Sequence, residues 1–393
     1  MNSAVFGLLR CCAAPLGLVG TGAMLYLFHT ALEMWVLYTL IAGGVGLLVL
    51  ASWWHLIGKL WARRPALSRL ARRVRLGHPC AVVVLGLTVW GSAAQAGEVW
   101  VVNTGSHDVS VIETITHRVV ATIPVGQQPR YLRFTPDGRE AWVTNLASRD
   151  ISIIDAEAKR VVTTLVPGGS PHDVAFSVDG RTAVITDHAA TYAVLANVQA
   201  RTCFYAVTVG SAPTQGLALP RTNRTVVVTE GGTKLVVLDL QARERRTVIP
   251  LAHEVAGLGL SPWGGVLWVS LKGTGGLIVL ETTDFRRVAT LPIPNGPHCL
   301  VPSPDSQRVY VLTHGLDSLA VVEIANGAIQ QVARLGNHPA TVDVSPDGRW
   351  LYLSSWAEHA LLVVSTADLT VVAKVPVGKA PYDVQVRRLA DQP

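Results

Sequence analysis

Residues 97–393 repeat every 42 residues with no insertion or deletion, and few folds accept such a period. At that spacing Pro129, Pro171, Pro213, Pro297, Pro339 and Pro381 share one column, broken only by Val255. Gly126, Gly168, Gly210, Gly336 and Gly378 form a second column, three residues ahead of the prolines. Asp137-Gly138, Asp179-Gly180 and Asp347-Gly348 form a third, joined by Asp305-Ser306. Repeats of this length built from several short strands stack as blades, and a chain of blades closes into a β-propeller.

Each repeat reads as four strands. In 129–170 the runs YLRFTP, AWVTN, ISIID and VVTTLVP alternate or carry β-branched residues, and turn residues separate them. Asp137-Gly138 marks a tight hairpin between the first two. Six repeats begin at 129, 171, 213, 255, 297 and 339. The seventh is split. Residues 381–386 supply one strand and 98–127 the other three, so pairing the two ends closes the ring and hides its edges. The expected fold is therefore all-β, a seven-bladed propeller.

The residues that carry the period also carry a likeness. WVVN (100–103), WVTN (142–145), SVIE (110–113), SIID (152–155) and the FTPDG and VSPDG turns resemble the YVTN-repeat propellers, across the whole of 97–393. The match weakens where Arg221-Thr222 and Trp263-Gly264 replace Asp-Gly. That family includes surface-layer repeats and periplasmic single-domain propellers. More distantly it includes haem d1 propellers of periplasmic nitrite reductases, which usually have eight blades. The resemblance implies a fold and no particular activity, because propellers host unrelated functions.

The first 96 residues differ in kind. Residues 11–28 and 35–58 are apolar, uncharged and long enough to span a bilayer, so two transmembrane helices are expected within 1–64. Within 65–96 a basic stretch precedes a short apolar run and Ala94-Gln95-Ala96, the pattern of a secretory signal. Seven Lys/Arg in 59–75 place that loop in the cytoplasm and the propeller in the periplasm. The propeller is then membrane-anchored or released after Ala96. A second reading is translation from a later start, which would remove the membrane spans.

Charge argues against one class of partner. The chain has 33 Lys+Arg against 27 Asp+Glu, but eight of the cations and only Glu33 precede residue 97. The propeller is left nearly neutral, which disfavours general nucleic-acid binding. Cys203 and Cys299 fall three blades apart, in positions unsuited to a disulfide. There is no C-x-x-C-H, which excludes covalent c-type haem, and no Walker loop, nucleophile elbow or H-E-x-x-H.

Histidine placement is the remaining signal. The loops leading into the inner strands and those between second and third strands share one face. Eight of the nine propeller histidines fall there: His107, His172, His188, His253, His298, His314, His338 and His359; only His117 lies on the opposite rim. His172 and His298 are 126 residues apart, as are His188 and His314, so the two pairs nearly face each other across the channel. Those four are the candidate metal ligands. Arg130 and Tyr382 share the inner-strand column, and Lys272, Trp356 and Glu230 the loop column. Arg130, Tyr382, Trp356 and Lys272 are the candidate cofactor contacts, and the set offers ligand types for copper, zinc or a non-covalent haem. The plainer account is that rim loops are polar because water covers them. The reading favoured is a scaffold that binds a ligand or a periplasmic or membrane protein through this face. The alternative is a redox metalloprotein, or an accessory protein to one.

Overall fold

The computed structural model describes residues 97–388 except 221, 223, 230, 231, 274, 275, 294, 295, 314–316, 336 and 337, with backbone alone at 226–229 and 331. The expected membrane spans, the basic loop, the signal-like segment and Ala96 lie outside the described residues. No helix among the described residues is long and apolar enough to cross a membrane.

Among the described residues, twenty-eight strands form seven four-stranded antiparallel sheets. The closing blade orders its strands β28 (Pro381–Val386), β1 (Glu98–Asn103), β2 (Asp108–Glu113) and β3 (Arg118–Pro124). The ring therefore closes where the repeat predicts: β28 pairs with β1 through Val99↔Val386, Trp100↔Gln385 and Val101↔Val384. The other six sheets run in chain order, and their inner strands are β4 (Pro129–Phe134), β8 (Pro171–Phe176), β12 (Pro213–Leu219), β16 (Val255–Leu260), β20 (Pro297–Pro302) and β24 (Pro339–Val344). Each inner strand packs on the next, and β28 packs on β4. The blades are numbered from the closing blade, so β4 opens the second and β16 the fifth.

The repeated residues have physical roles. Asp137 accepts hydrogen bonds from Thr135 Oγ1 (2.6 Å) and Arg139 N (3.1 Å), fastening the β4–β5 hairpin to the second strand, β5 (Glu140–Asn145). Asp179, Asp305 and Asp347 repeat this capping. Buried Asn103 and Asn145 donate from Nδ2 to Asp108 and Asp150 and so brace the next turn. A Cβ at Gly126 would come within 2.6 Å of Asn145 Nδ2 and one at Gly378 within 2.6 Å of Asn103 Nδ2, while Gly168 and Gly210 in the same column adopt positive φ.

Seven apolar clusters fill the seams between blades. Trp100 meets Phe134 edge-on at 5.3 Å, and Trp142 meets Phe176 in the same way, each pair joining adjacent blades. Both indoles are fully buried, and their N–H groups are satisfied by Glu98 (3.2 Å) and Glu140 (3.0 Å), two residues earlier in the strand.

One irregularity positions the candidate site. In β4, Pro129 pairs with Asn145 but Leu132 pairs with Val143, so three steps on one strand oppose two on the other. The extra residue is a β-bulge, which re-aims side chains and breaks strict alternation. The same shift recurs after Pro171, Pro297, Pro339 and Pro381.

Candidate functional site

The loops leading into the inner strands do share a face with the second-to-third-strand loops. Gln128 N donates to His107 Nδ1 and Ala380 N to His359 Nδ1, both at 3.1 Å. His107 and His359 are thereby committed to holding turns at positive φ. His338 Nδ1 lies 3.7 Å from the Asp317 carboxylate, and His253 is exposed.

At the axial mouth three blades converge. Arg130 and Tyr131 come from β4, His172 from β8, His188 from the loop after β9 (Thr182–Asp187), and Tyr382 from β28. Arg130 Nη2 donates to Tyr382 Oη at 2.9 Å, and its guanidinium carbon sits 3.9 Å from that ring's centre. Tyr131 meets Tyr382 edge-on at 5.5 Å and His172 at 5.1 Å. His172 stacks on His188, centroids 5.5 Å apart and planes 24° apart. Four of the residues expected from sequence are therefore brought together: Arg130, Tyr382, His172 and His188.

The others are elsewhere. His298 stands on β20 in the sixth blade, Lys272 pairs with Glu254 in the fifth, and Trp356 is half exposed in the seventh. None of these blades contributes to the cluster. His314 and Glu230 lie outside the described residues. Among the described residues no group of three or more His, Cys, Asp or Glu is placed to hold a metal ion, and His314, one of the four candidate ligands, is not among them. An imidazole lone pair lies in its ring plane, and nearly parallel stacked rings do not direct two lone pairs at one ion about 2.0–2.1 Å away.

Sequence columns missed the layer beneath. Arg133 reaches Asp173 on β8 (3.1 Å) and Asp383 on β28 (2.8 Å), bridging three blades across the ring closure. Asp383 also accepts from Leu132 N, and Asp173 from Val174 N. Burial pushes the Asp383 carboxyl up to about 6 despite Arg133, and raises Asp173 as well. Tyr131 completes the layer above, its hydroxyl pushed well above the usual phenol range by burial and by Tyr382. Asp173, Asp383 and Tyr131 share one column of the repeat, next to the column that was read.

Burial, with lesser contributions from Arg130, His188 and Arg133, lowers His172 to about 4. The ring is neutral at pH 7. Its Nδ1 faces Thr214 O at 2.8 Å, and a carbonyl only accepts, so Nδ1 carries the hydrogen and Nε2 the lone pair. Arg130 Nε is buried without a hydrogen-bond partner among the described residues. The mouth thus combines a cation with a spare donor, a neutral imidazole and two phenol rings.

The sequence model of the YNCE-like β-propeller family matches residues 75–392. The chain belongs to that family. The YVTN-type likeness read from the repeats is borne out at this level. No curated protein matches the chain. Among solved structures, hydrazine synthase of Kuenenia stuttgartiensis is similar at 18% identity, with a TM-score of 0.62 over 68% of this chain and 92% of that one. Dihydro-heme d1 dehydrogenase NirN, in complex with DHE, is similar at 18% identity, TM-score 0.57, over 73% and 74%. A functionally unknown protein from Desulfotomaculum acetoxidans DSM 771 is similar at 16% identity, TM-score 0.62, over 75% and 100%. At such identities the YNCE-like chain shares a fold with these proteins, and their chemistry does not transfer with it.

Proposed function

We propose that this YNCE-like propeller is a periplasmic binding scaffold that seats an anionic, ring-bearing ligand at the Arg130–Tyr131–His172–His188–Tyr382 mouth. The observation that carries this reading is the convergence of the five side chains from three blades around a guanidinium with an unmatched buried N–H. A buried donor left unpaired costs about 1–3 kcal/mol, which an acceptor on the ligand would recover. Phenol and imidazole faces supply apolar contact for a flat ring. In this reading the ligand is presented to a periplasmic or membrane protein partner.

The test is purification from the native host followed by mass spectrometry and an absorption spectrum. A bound small molecule is expected, lost in Arg130→Ala and in His172→Ala with little change in melting temperature. Binding should hold down to about pH 4, where His172 protonates, rather than fail at the ordinary histidine value. Wild-type and variant proteins that carry and bind nothing would sink the reading. The periplasmic address rests on the basic loop before the signal-like segment. A reporter that works only after export, fused after Gln127, should be active; activity of a cytoplasm-only reporter there would overturn it.

One observation favours the alternative, a tetrapyrrole-bearing or metal-bearing propeller. A neutral imidazole whose Nδ1–H is held by a backbone carbonyl is the usual state of a metal-ligating histidine. His172 would supply one ligand nitrogen to such a group, with Arg130 near for an acidic substituent. An intense visible absorption band in the same spectrum would select this version.

A further inference from the structure

The rim opposite the histidines carries a second feature, between the fifth and sixth blades. Glu140 caps the Trp142 indole, and Glu98 caps Trp100 at the same repeat position. Three repeats on from the second blade, the tryptophan recurs as Trp268, on β17 (Val266–Leu271), but the glutamate is replaced by Val266. Trp268 is 2% exposed, and its Nε1 has no hydrogen-bond partner among the described residues.

Three neighbouring positions change with it. Trp263 stands where Asp137 caps its hairpin, and Gly265 where the second, third and seventh blades have Arg139, Arg181 and Arg349. A Cβ at Gly265 would overlap the Trp263 ring, so glycine is what lets that indole fold back over the strand. Across the seam, Gly327 occupies a turn column that six other blades fill with His117, Lys159, Arg201, Arg243, Phe285 and Leu369, all at positive φ. Glycine there is not needed for the backbone, since six side-chain-bearing residues adopt the same turn. What it does is leave room beside Leu291, which a Cβ would strike.

The four changes leave a cavity of about 400 Å³ with Trp268 in its wall and the half-exposed Trp263 and Val288 also lining it. None of its 13 lining residues is ionisable. Its size is that of a small-molecule site, and a mainly apolar lining with a few polar groups, here Ser261, Ser306, Asn326 and the Trp268 indole, is the usual composition. A charged guest would lose hydration with no counter-charge in the lining to offset it.

We propose that this cavity is a second binding site, for an uncharged apolar small molecule with one carbonyl-type acceptor that receives the Trp268 indole N–H. The site is independent of the histidine-bearing mouth and stands whether or not that mouth binds a ligand.

Benzophenone, a neutral two-ring ketone that attaches to nearby C–H bonds under near-ultraviolet light, tests this on the full-length chain. Labelling should map to peptides containing Trp263, Val288 or Ile324. Val266→Glu restores the Glu–Trp pair of two other blades and should reduce that labelling at least about tenfold, with the melting temperature unchanged or raised. A straight-chain ketone should block labelling about fivefold better than the alkane of equal length, the worth of one hydrogen bond. Labelling unchanged in Val266→Glu, or scattered over the surface, would overturn the site. Equal competition by ketone and alkane would overturn the role of Trp268. No labelling at all would overturn the proposal.

Discussion

The second and fifth blades are copies of one repeat, three units apart, yet they treat the same positions in opposite ways. At the axis the second blade presents Arg130, Tyr131 and Arg133; the fifth presents Ala256, Gly257 and Gly259. On the far rim the second blade has Asp137, Arg139 and Glu140, and the fifth has Trp263, Gly265 and Val266. The small axial residues bring β16 close to β20: a Cβ at Gly257 would fall 2.6 Å from the His298 carbonyl oxygen. The second blade instead keeps its neighbours apart with charged side chains that reach both ways. The difference shows which parts of the repeat are framework. Buried strand positions such as Trp142 and Trp268 hold in both blades, while the axial and turn columns are free to carry polar chemistry or none.

The sharpest way to break this contrast is Arg133→Met. It leaves Asp173 and Asp383 buried beside each other without a cation, and removing one partner of a buried ion cluster costs about 3–5 kcal/mol. Denaturant titration at pH 8 should show that loss. The sign with pH follows from burial, which already lifts Asp383 to about 6. Loss of Arg133 removes a lowering influence, so the folded variant holds more protons than the unfolded chain, and stability recovers as pH falls. A variant equally unstable at pH 8 and pH 5 would show that the carboxylates are not the cause.

A smaller effect is expected from Glu140→Val, which makes the second blade imitate the fifth. The Trp142 indole N–H loses its acceptor and Arg201 its partner at 2.5 Å, for a cost of about 1–3 kcal/mol. Thermal unfolding measures it. Stability equal to wild type would mean that the missing glutamate at Val266 carries no penalty either, and the two blades differ less than their sequences imply.

The fold was legible because the period is unbroken, so strand count, blade count and closure follow from register alone. The mouth was legible only in part. Arg130, Tyr382 and His172 were found by reading one column, and His188 by its loop. Tyr131, Asp173 and Asp383 occupy the next column, which strict strand alternation would turn away from the channel. The bulge after the proline cancels that alternation, and no single residue in the sequence announces a bulge. His107 and His359 were counted with the histidines of the ligand-bearing face because loop position does not distinguish a turn-holding imidazole from a free one. A spacing of 21 residues to Gln128 and Ala380, met twice, was the available signal.

The pairing of β28 with β1 has a consequence in time. Synthesis runs from the amino end, so Trp100 and Val101 emerge more than 280 residues before Gln385 and Val384, which cover them. Throughout that interval β1 is an open edge, able to pair with another chain. Arg133 also waits for one of its two carboxylates, because Asp383 emerges 250 residues after it. The domain therefore cannot finish folding blade by blade; it is completed in one late step, once the final strand is free to return to the first.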